Sequence, residues 1–170
     1  LNEELLNNFN VFNNNLKKNI IEHYRNNTVE FVKEDLIEIL KGKNTEKEIR
    51  ISIIKYFSSV IHKYAQDVII EILRRGDWEY RAVCATALAS YKNEDSVNAL
   101  LVSVTDKNWY VRYNSAISLL QFGDDIIDLV FLKEDKYSRE IIFYAMFMKN
   151  KISYEEYLEK SRNLEGIYNV

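Results

Sequence analysis

The stretch Asp77-Trp-Glu-Tyr-Arg-Ala-Val-Cys-Ala-Thr-Ala-Leu88 is nearly repeated at Asn108-Trp-Tyr-Val-Arg-Tyr-Asn-Ser-Ala-Ile-Ser-Leu119. Trp78 returns as Trp109, Arg81 as Arg112, Ala85 as Ala116 and Leu88 as Leu119, each pair 31 positions apart. A fixed period of this length marks a stacked repeat, in which one small unit recurs and neighbours bury each other's apolar faces. The period extends backwards: Arg50 stands 31 before Arg81, with Ile54 and Phe57 in the places of Ala85 and Leu88. Forwards, a looser copy at a shorter spacing places Ser138-Arg139 with Phe143 and Met146. Relative to each arginine, apolar or small residues recur at −1, +3, +4 and +7, which is one face of an α-helix.

A second, shorter helical pattern follows each first one. Asp67 to Arg74, Ser96 to Val104, Asp125 to Phe131 and Tyr154 to Lys160 fill this role, so each unit reads as a helical hairpin. Start signals agree. Thr45-Glu-Lys-Glu48 has the form of a capping box, Asp77, Asp106 and Asp135 precede first helices, and Asn93-Glu94-Asp95 and Asp124-Asp125 open second ones. Gly42, Gly76 and Gly123 stand at helix ends. Residues 1–43 depart from the repeat. Leu5, Phe9, Phe12, Leu16, Ile20 and Tyr24 step by three or four, which predicts one long amphipathic helix, and Val29 to Lys41 a second. The expected organisation is an N-terminal helical cap over 1–43, about four hairpins over 44–163 and a tail over 164–170.

Composition fits this picture. The 170 residues suit one domain; with no proline and four glycines the chain has few breakers, which favours helix. A net charge of −3 weighs against nucleic acid as partner. The single cysteine excludes an internal disulfide framework or a multi-cysteine zinc site. No apolar run approaches the roughly 20 residues of a membrane helix. The chain begins at Leu1 rather than Met, as expected where an upstream stretch such as a signal peptide or anchor has been removed. The expected location is the cytoplasm, or the aqueous side of a membrane if such an anchor exists.

The run from Ala87 to Arg112 resembles HEAT repeats, in particular the short bacterial form also found in phycobilisome-lyase-like proteins. Asp106, Val111, Arg112, Ala116 and Leu119 match the family pattern position by position, and Gln121-Phe-Gly-Asp-Asp125 matches its turn. Arg75 stands where the family has an aspartate before Arg81. The resemblance implies an all-α, right-handed solenoid of stacked hairpins, with second helices lining a concave face. It implies a non-catalytic protein-binding scaffold more than an activity. No glycine-rich phosphate loop and no zinc-ligand spacing occur in the sequence, so no cofactor and no metal are expected. The alternatives are a lyase or chaperone-like factor of the phycobilisome-lyase-like class and a HEAT-like DNA-binding protein or alkylpurine DNA glycosylase. Trp78, Trp109, Arg81, Arg112, Asp77 and Asp106 supply the residue types such a glycosylase uses around its groove.

Within that frame Arg50, Arg81, Arg112 and Arg139 are expected to bridge to acids or carbonyls of adjoining loops, forming a structural ladder. Trp78 and Trp109 are the candidate partner contacts, with Tyr110 and Tyr113 behind them. They recur at the start of successive first helices and so share a rim, about 10 Å apart. The competing reading packs each indole on the preceding hairpin. Glu94, Asp95, Asp124, Asp125 and Asp128 form either an acidic patch, with a loose calcium site at its limit, or ordinary helix caps. Cys84 falls on the core face and reads as a buried thiol, while His23 and His62 have no ligand-spaced companion.

Overall fold

The computed structural model describes residues 8–42, 44–132 and 135–168. Ten α-helices follow one 3-10 turn, and no strand occurs among the described residues. In chain order they are α1 (Asn14–Asn26), α2 (Lys33–Lys41), α3 (Lys47–Tyr56), α4 (Lys63–Arg75) and α5 (Trp78–Leu88), then α6 (Glu94–Ser103), α7 (Trp109–Leu119), α8 (Asp124–Phe131), α9 (Lys136–Met148) and α10 (Tyr154–Tyr168). Odd-numbered helices stack in one layer, α1 on α3, α3 on α5, α5 on α7 and α7 on α9; α4, α6 and α8 stack in the other. This two-layer array is an α-solenoid. The N-terminal pair joins it in the same order as the other hairpins, because α1 packs on α3 as α5 packs on α7.

The repeated face becomes the core. Ile53 and Ile54 of α3, Cys84, Ala85 and Leu88 of α5, and Val111, Ala116 and Leu119 of α7 are all fully buried. Small residues at Ala82, Ala85 and Ala116 leave room for α7 to reach the backbone of α5. Asn114 Nδ2 donates to the Ala82 carbonyl at 3.1 Å and Ser118 Oγ to the Ala85 carbonyl at 2.9 Å. A bulkier residue at 85 would hold the helices apart and break both bonds. In α9 the stripe is displaced by one position: Ile142 and Ala145 are fully buried, while the expected core residues Phe143 and Met146 are only partly covered. The shorter spacing before Arg139 rotates the arginine relative to the buried face.

Several local expectations are corrected. The long first helix is interrupted: the Asn13 side chain accepts from Leu16 N at 3.0 Å and starts α1, while Phe9–Val11 form a separate turn that seats Phe9 in the core. Asparagine side chains compete with helical backbone bonds in this way. Leu5 lies outside the described residues. Helix α2 begins at Lys33, not Val29. The capping box at Thr45 does not form, because the Thr45 hydroxyl donates to the Ile39 carbonyl at the end of α2, at 2.5 Å. Helix α4 starts four residues before Asp67, capped by His62 Nδ1 accepting from Ala65 N at 3.4 Å. Helix α10 continues through Tyr168, past the expected tail boundary at 163, and Leu164 on it is buried. Gly123 adopts φ +120° immediately before α8, a conformation that favours glycine.

Candidate functional site

Two ladders run along the first-helix layer, one of arginines and one of aromatic rings. The arginines come from one helix position and find the same kind of acceptor in each loop. Arg50 Nη2 donates to the Gly42 carbonyl, Arg81 Nη1 to Gly76 at 2.7 Å, Arg112 Nη1 to Asp106 at 2.8 Å and Arg139 Nη2 to Phe131 at 2.7 Å. Arg81 adds a fork: Nε and Nη2 meet Asp106 Oδ2 and Oδ1 at 2.8 and 2.9 Å. Both side chains of this pair are almost covered, at 12% and 14% exposure. Asp106 Oδ1 also accepts from Asn108 N, which leaves Asn108 to cap α7 through Tyr110 N.

The second ladder begins at Trp78. Its indole stacks on Tyr110 at 5.5 Å, and Tyr110 meets Trp109 edge-on at 5.3 Å. Trp109 stacks on Tyr113 at 5.1 Å with the planes only 8° apart, as a pair four residues apart on one helix can. Trp109 and Tyr113 both touch Tyr144 of α9, at 6.0 and 5.7 Å. Tyr144 meets Tyr157 of α10 at 6.2 Å, and Tyr157 stacks on Phe147. The rings thus form one connected strip from α5 to α10. Trp78 and Trp109 keep 41% and 42% of their surface exposed and Tyr110 keeps 56%. The ring contacts of both indoles thus run to the following repeat, and both indoles remain accessible. Sequence reading singled out Trp78 and Trp109 by their period and Tyr110 and Tyr113 by their nearness to Trp109, and it did not name the further strip members Tyr144, Phe147 and Tyr157. Tyr144 stands 31 after Tyr113, a spacing that carried the signal.

Where α7, α9 and α10 meet, a cleft of about 390 Å³ opens beside this strip, lined by Trp109, Arg112, Tyr137, Glu140, Tyr144 and Tyr157 among others. The Arg112 guanidinium lies 5.4 Å from the centre of the Tyr137 ring.

The other candidates lie apart from the strip and make local contacts. Asp95 pairs with Lys63 at 2.7 Å, and Asp124 lies 3.9 Å from Lys151. Glu94, Asp95, Asp124 and Asp125 occupy first helical turns, where negative charge is favourable, and Asp128 lies farther along α8. Among the described residues no three acids, histidines or cysteines converge as a metal site would require. Cys84 is fully buried, and burial pushes its thiol well above the ordinary range. His23 Nδ1 lies 3.3 Å from the Asn27 amide nitrogen.

A buried polar clip escaped sequence reading. Gln66 of α4, 1% exposed, donates to Asn93 Oδ1 at 2.7 Å and to Ser96 Oγ at 2.9 Å, and accepts from Asn93 Nδ2 at 3.1 Å. It ties α4 to the start of α6.

The family model described as HEAT repeats matches residues 33–119 and, in an overlapping register, 66–140. The chain belongs to the HEAT-repeat family. No curated protein matches it. Among the described residues no helix is long and apolar enough to cross a membrane.

Proposed function

We propose that the chain is a non-catalytic protein-interaction module whose partner docks on the aromatic strip, with Trp78, Trp109 and Tyr110 as anchors and Tyr113 supporting them. The observation that carries this reading is the strip itself. Its large rings are held by mutual stacking yet left accessible on a layer of packed helices. Trp and Tyr dominate binding energy at interfaces because they offer much contact area with few rotatable bonds. Rings already fixed before binding lose little entropy when a partner arrives. HEAT-repeat membership supports the same reading, since solenoids present extended surfaces of this kind.

The test is capture from native cell lysate on immobilised chain, compared with Trp78→Ala/Tyr110→Ala protein shown by circular dichroism to be folded. The expected result is a defined protein captured by the native chain and lost, by tenfold or more, from the variant. Equal capture by both overturns the assignment of the face. Recovery of nucleic acid that elutes with salt, in place of protein, overturns the partner class.

A further inference from the structure

We infer that the cleft between α7, α9 and α10 receives an aspartate or glutamate side chain of the partner polypeptide, with Arg112 as its anchor. This rests on the interaction-module reading and names the chemistry the partner carries.

The fold contains its own template. Arg81 uses Nη1 for a loop carbonyl and turns its Nε/Nη2 edge to the carboxylate of Asp106. Arg112 repeats the first half, donating from Nη1 to the Asp106 and Lys107 carbonyls. The second half is missing. Asp106 stands 25 residues after Arg81; the residue 25 after Arg112 is Tyr137, whose ring lies over the guanidinium. Among the described residues Arg112 makes no ion pair, its Nη2 donates to nothing, and its Nε is buried with no hydrogen-bond partner. An N–H covered in this way is costly to leave unmade, and a guanidinium edge is matched best by a carboxylate. Tyr137 is 60% exposed and can swing aside without disturbing the core.

The surroundings select what carries that carboxylate. Trp109, Tyr144 and Tyr157 line the same cleft and offer ring faces to the residues flanking the acid. Glu140 is the acid on the wall, and its carboxylate lies 3.9 Å from Lys136. Arg50 provides the contrast. Its Nε is likewise unpartnered and Tyr80 lies over it, but its cleft holds two acids; Glu71 is paired with Arg75 at 3.0 Å, and Asp77 opposes an incoming anion.

The probes are two blocked peptides, acetyl-Leu-Asp-Tyr-amide and acetyl-Leu-Asn-Tyr-amide, with sodium acetate as a third arm. The readout is the arginine Nε–H and tryptophan indole N–H resonances of the 15N-labelled chain. The expected result is saturable shifts of the Arg112 and Trp109 signals with the aspartyl peptide. The asparaginyl peptide should bind about tenfold more weakly, and acetate should leave the Trp109 signal unmoved. Tyr137→Asp, which places a carboxylate against Arg112 in cis, should weaken the aspartyl peptide by about tenfold without loss of fold. Arg112→Lys should do the same by removing the fork. Equal binding of the two peptides overturns the inference, as does an acetate response matching the peptide's, or Arg50 shifting in parallel with Arg112. If the peptide does not bind while Trp78→Ala/Tyr110→Ala still loses its lysate partner, only this inference falls. If the peptide binds while capture ignores that double variant, the aromatic-face reading falls and the Arg112 site stands.

Discussion

Removing Asp106 is the sharpest test of what holds the repeats in register. In Asp106→Ala, Arg81 loses two charge-assisted bonds at 2.8 and 2.9 Å, and Asn108 N loses its acceptor. Arg81 keeps one bond, to the Gly76 carbonyl. Breaking a buried pair by deleting one partner costs about 3–5 kcal/mol, because a charge is stranded away from water. The pair is roughly one-eighth exposed, which admits some water and places the expected loss at the low end, about 3 kcal/mol. For a chain of 170 residues this corresponds to a fall in Tm of about 6–12 °C. Urea unfolding followed at 222 nm gives the loss, and amide exchange gives its location. Solenoids couple mainly through nearest neighbours, so lost protection should concentrate in α5, the α6–α7 loop and α7. A double-mutant cycle completes the test. Arg81→Met/Asp106→Leu removes both charges, so its cost should fall short of the summed single costs by more than about 1.5 kcal/mol. A loss below about 1 kcal/mol for Asp106→Ala, or a coupling near zero, would refute the reasoning: the pair would then behave as a surface salt bridge.

Four further outcomes follow from the same structure. Gln66→Leu strands Asn93 and Ser96 and should cost about 1–3 kcal/mol by urea unfolding, whereas a neutral effect means the clip is dispensable. Ala85→Leu overfills a fully buried site and breaks the Ser118 bond; an expected cost of about 1–3 kcal/mol, with lost exchange protection at the α5–α7 contact, is checked in the same assays. Cys84 should resist a thiol reagent at pH 8 until the chain unfolds, and reaction at the rate of a free thiol in native protein contradicts its burial. Burial raises the Tyr56 and Tyr91 hydroxyls above the ordinary phenol value of 10.0, so their stabilisation is complete below that pH and is lost as pH rises beyond it. Lys47 and Lys63, raised by Glu79 and by Asp95 with Asp67, act in the same direction; the urea midpoint should hold to about pH 9 and decline above 10.

Much of the architecture was visible before any coordinates, for a physical reason. A solenoid reuses one packing solution, so Arg81, Ala85 and Leu88 announce themselves by returning as Arg112, Ala116 and Leu119. What escaped was what occurs once. The break at Asn13 depends on a single side chain turning back on the backbone, and nothing in the apolar steps of Phe9, Phe12 and Leu16 registers it. Thr45 had the right residue type for a cap and a better acceptor behind it, the Ile39 carbonyl. Gln66 carries no signal of its own in the sequence, because its partners, Asn93 and Ser96, come from the next hairpin. The aromatic strip fell between these cases. Trp78 and Trp109 repeat, as do Tyr113 and Tyr144, while Tyr110 has no counterpart and Phe147 and Tyr157 belong to the last hairpin, where the period has already failed.

That failure of period matters at the site. Arg112 and Arg139 are 27 apart instead of 31, and α8, at 8 residues, is shorter than the 10-residue α6 before it. In the α6–α7 loop the aspartate precedes the capping Asn108 by two residues and is free to face Arg81. In the shortened loop before α9, Asp135 is itself the cap, accepting from Ser138 N at 2.7 Å, and makes no ion pair with Arg112. One deletion in the repeat thus keeps the helix start and gives up the cross-repeat ion pair. The stack survives, because Val111, Ala116, Leu119, Ile142 and Ala145 still bury the contact between α7 and α9. The missing pair falls where Trp109, Tyr144 and Tyr157 gather around a cleft. A repeat protein gains a distinct site most readily where its repetition lapses. The backbone frame is kept there by the neighbours, and a guanidinium that in the preceding repeat is matched by a carboxylate is left without one.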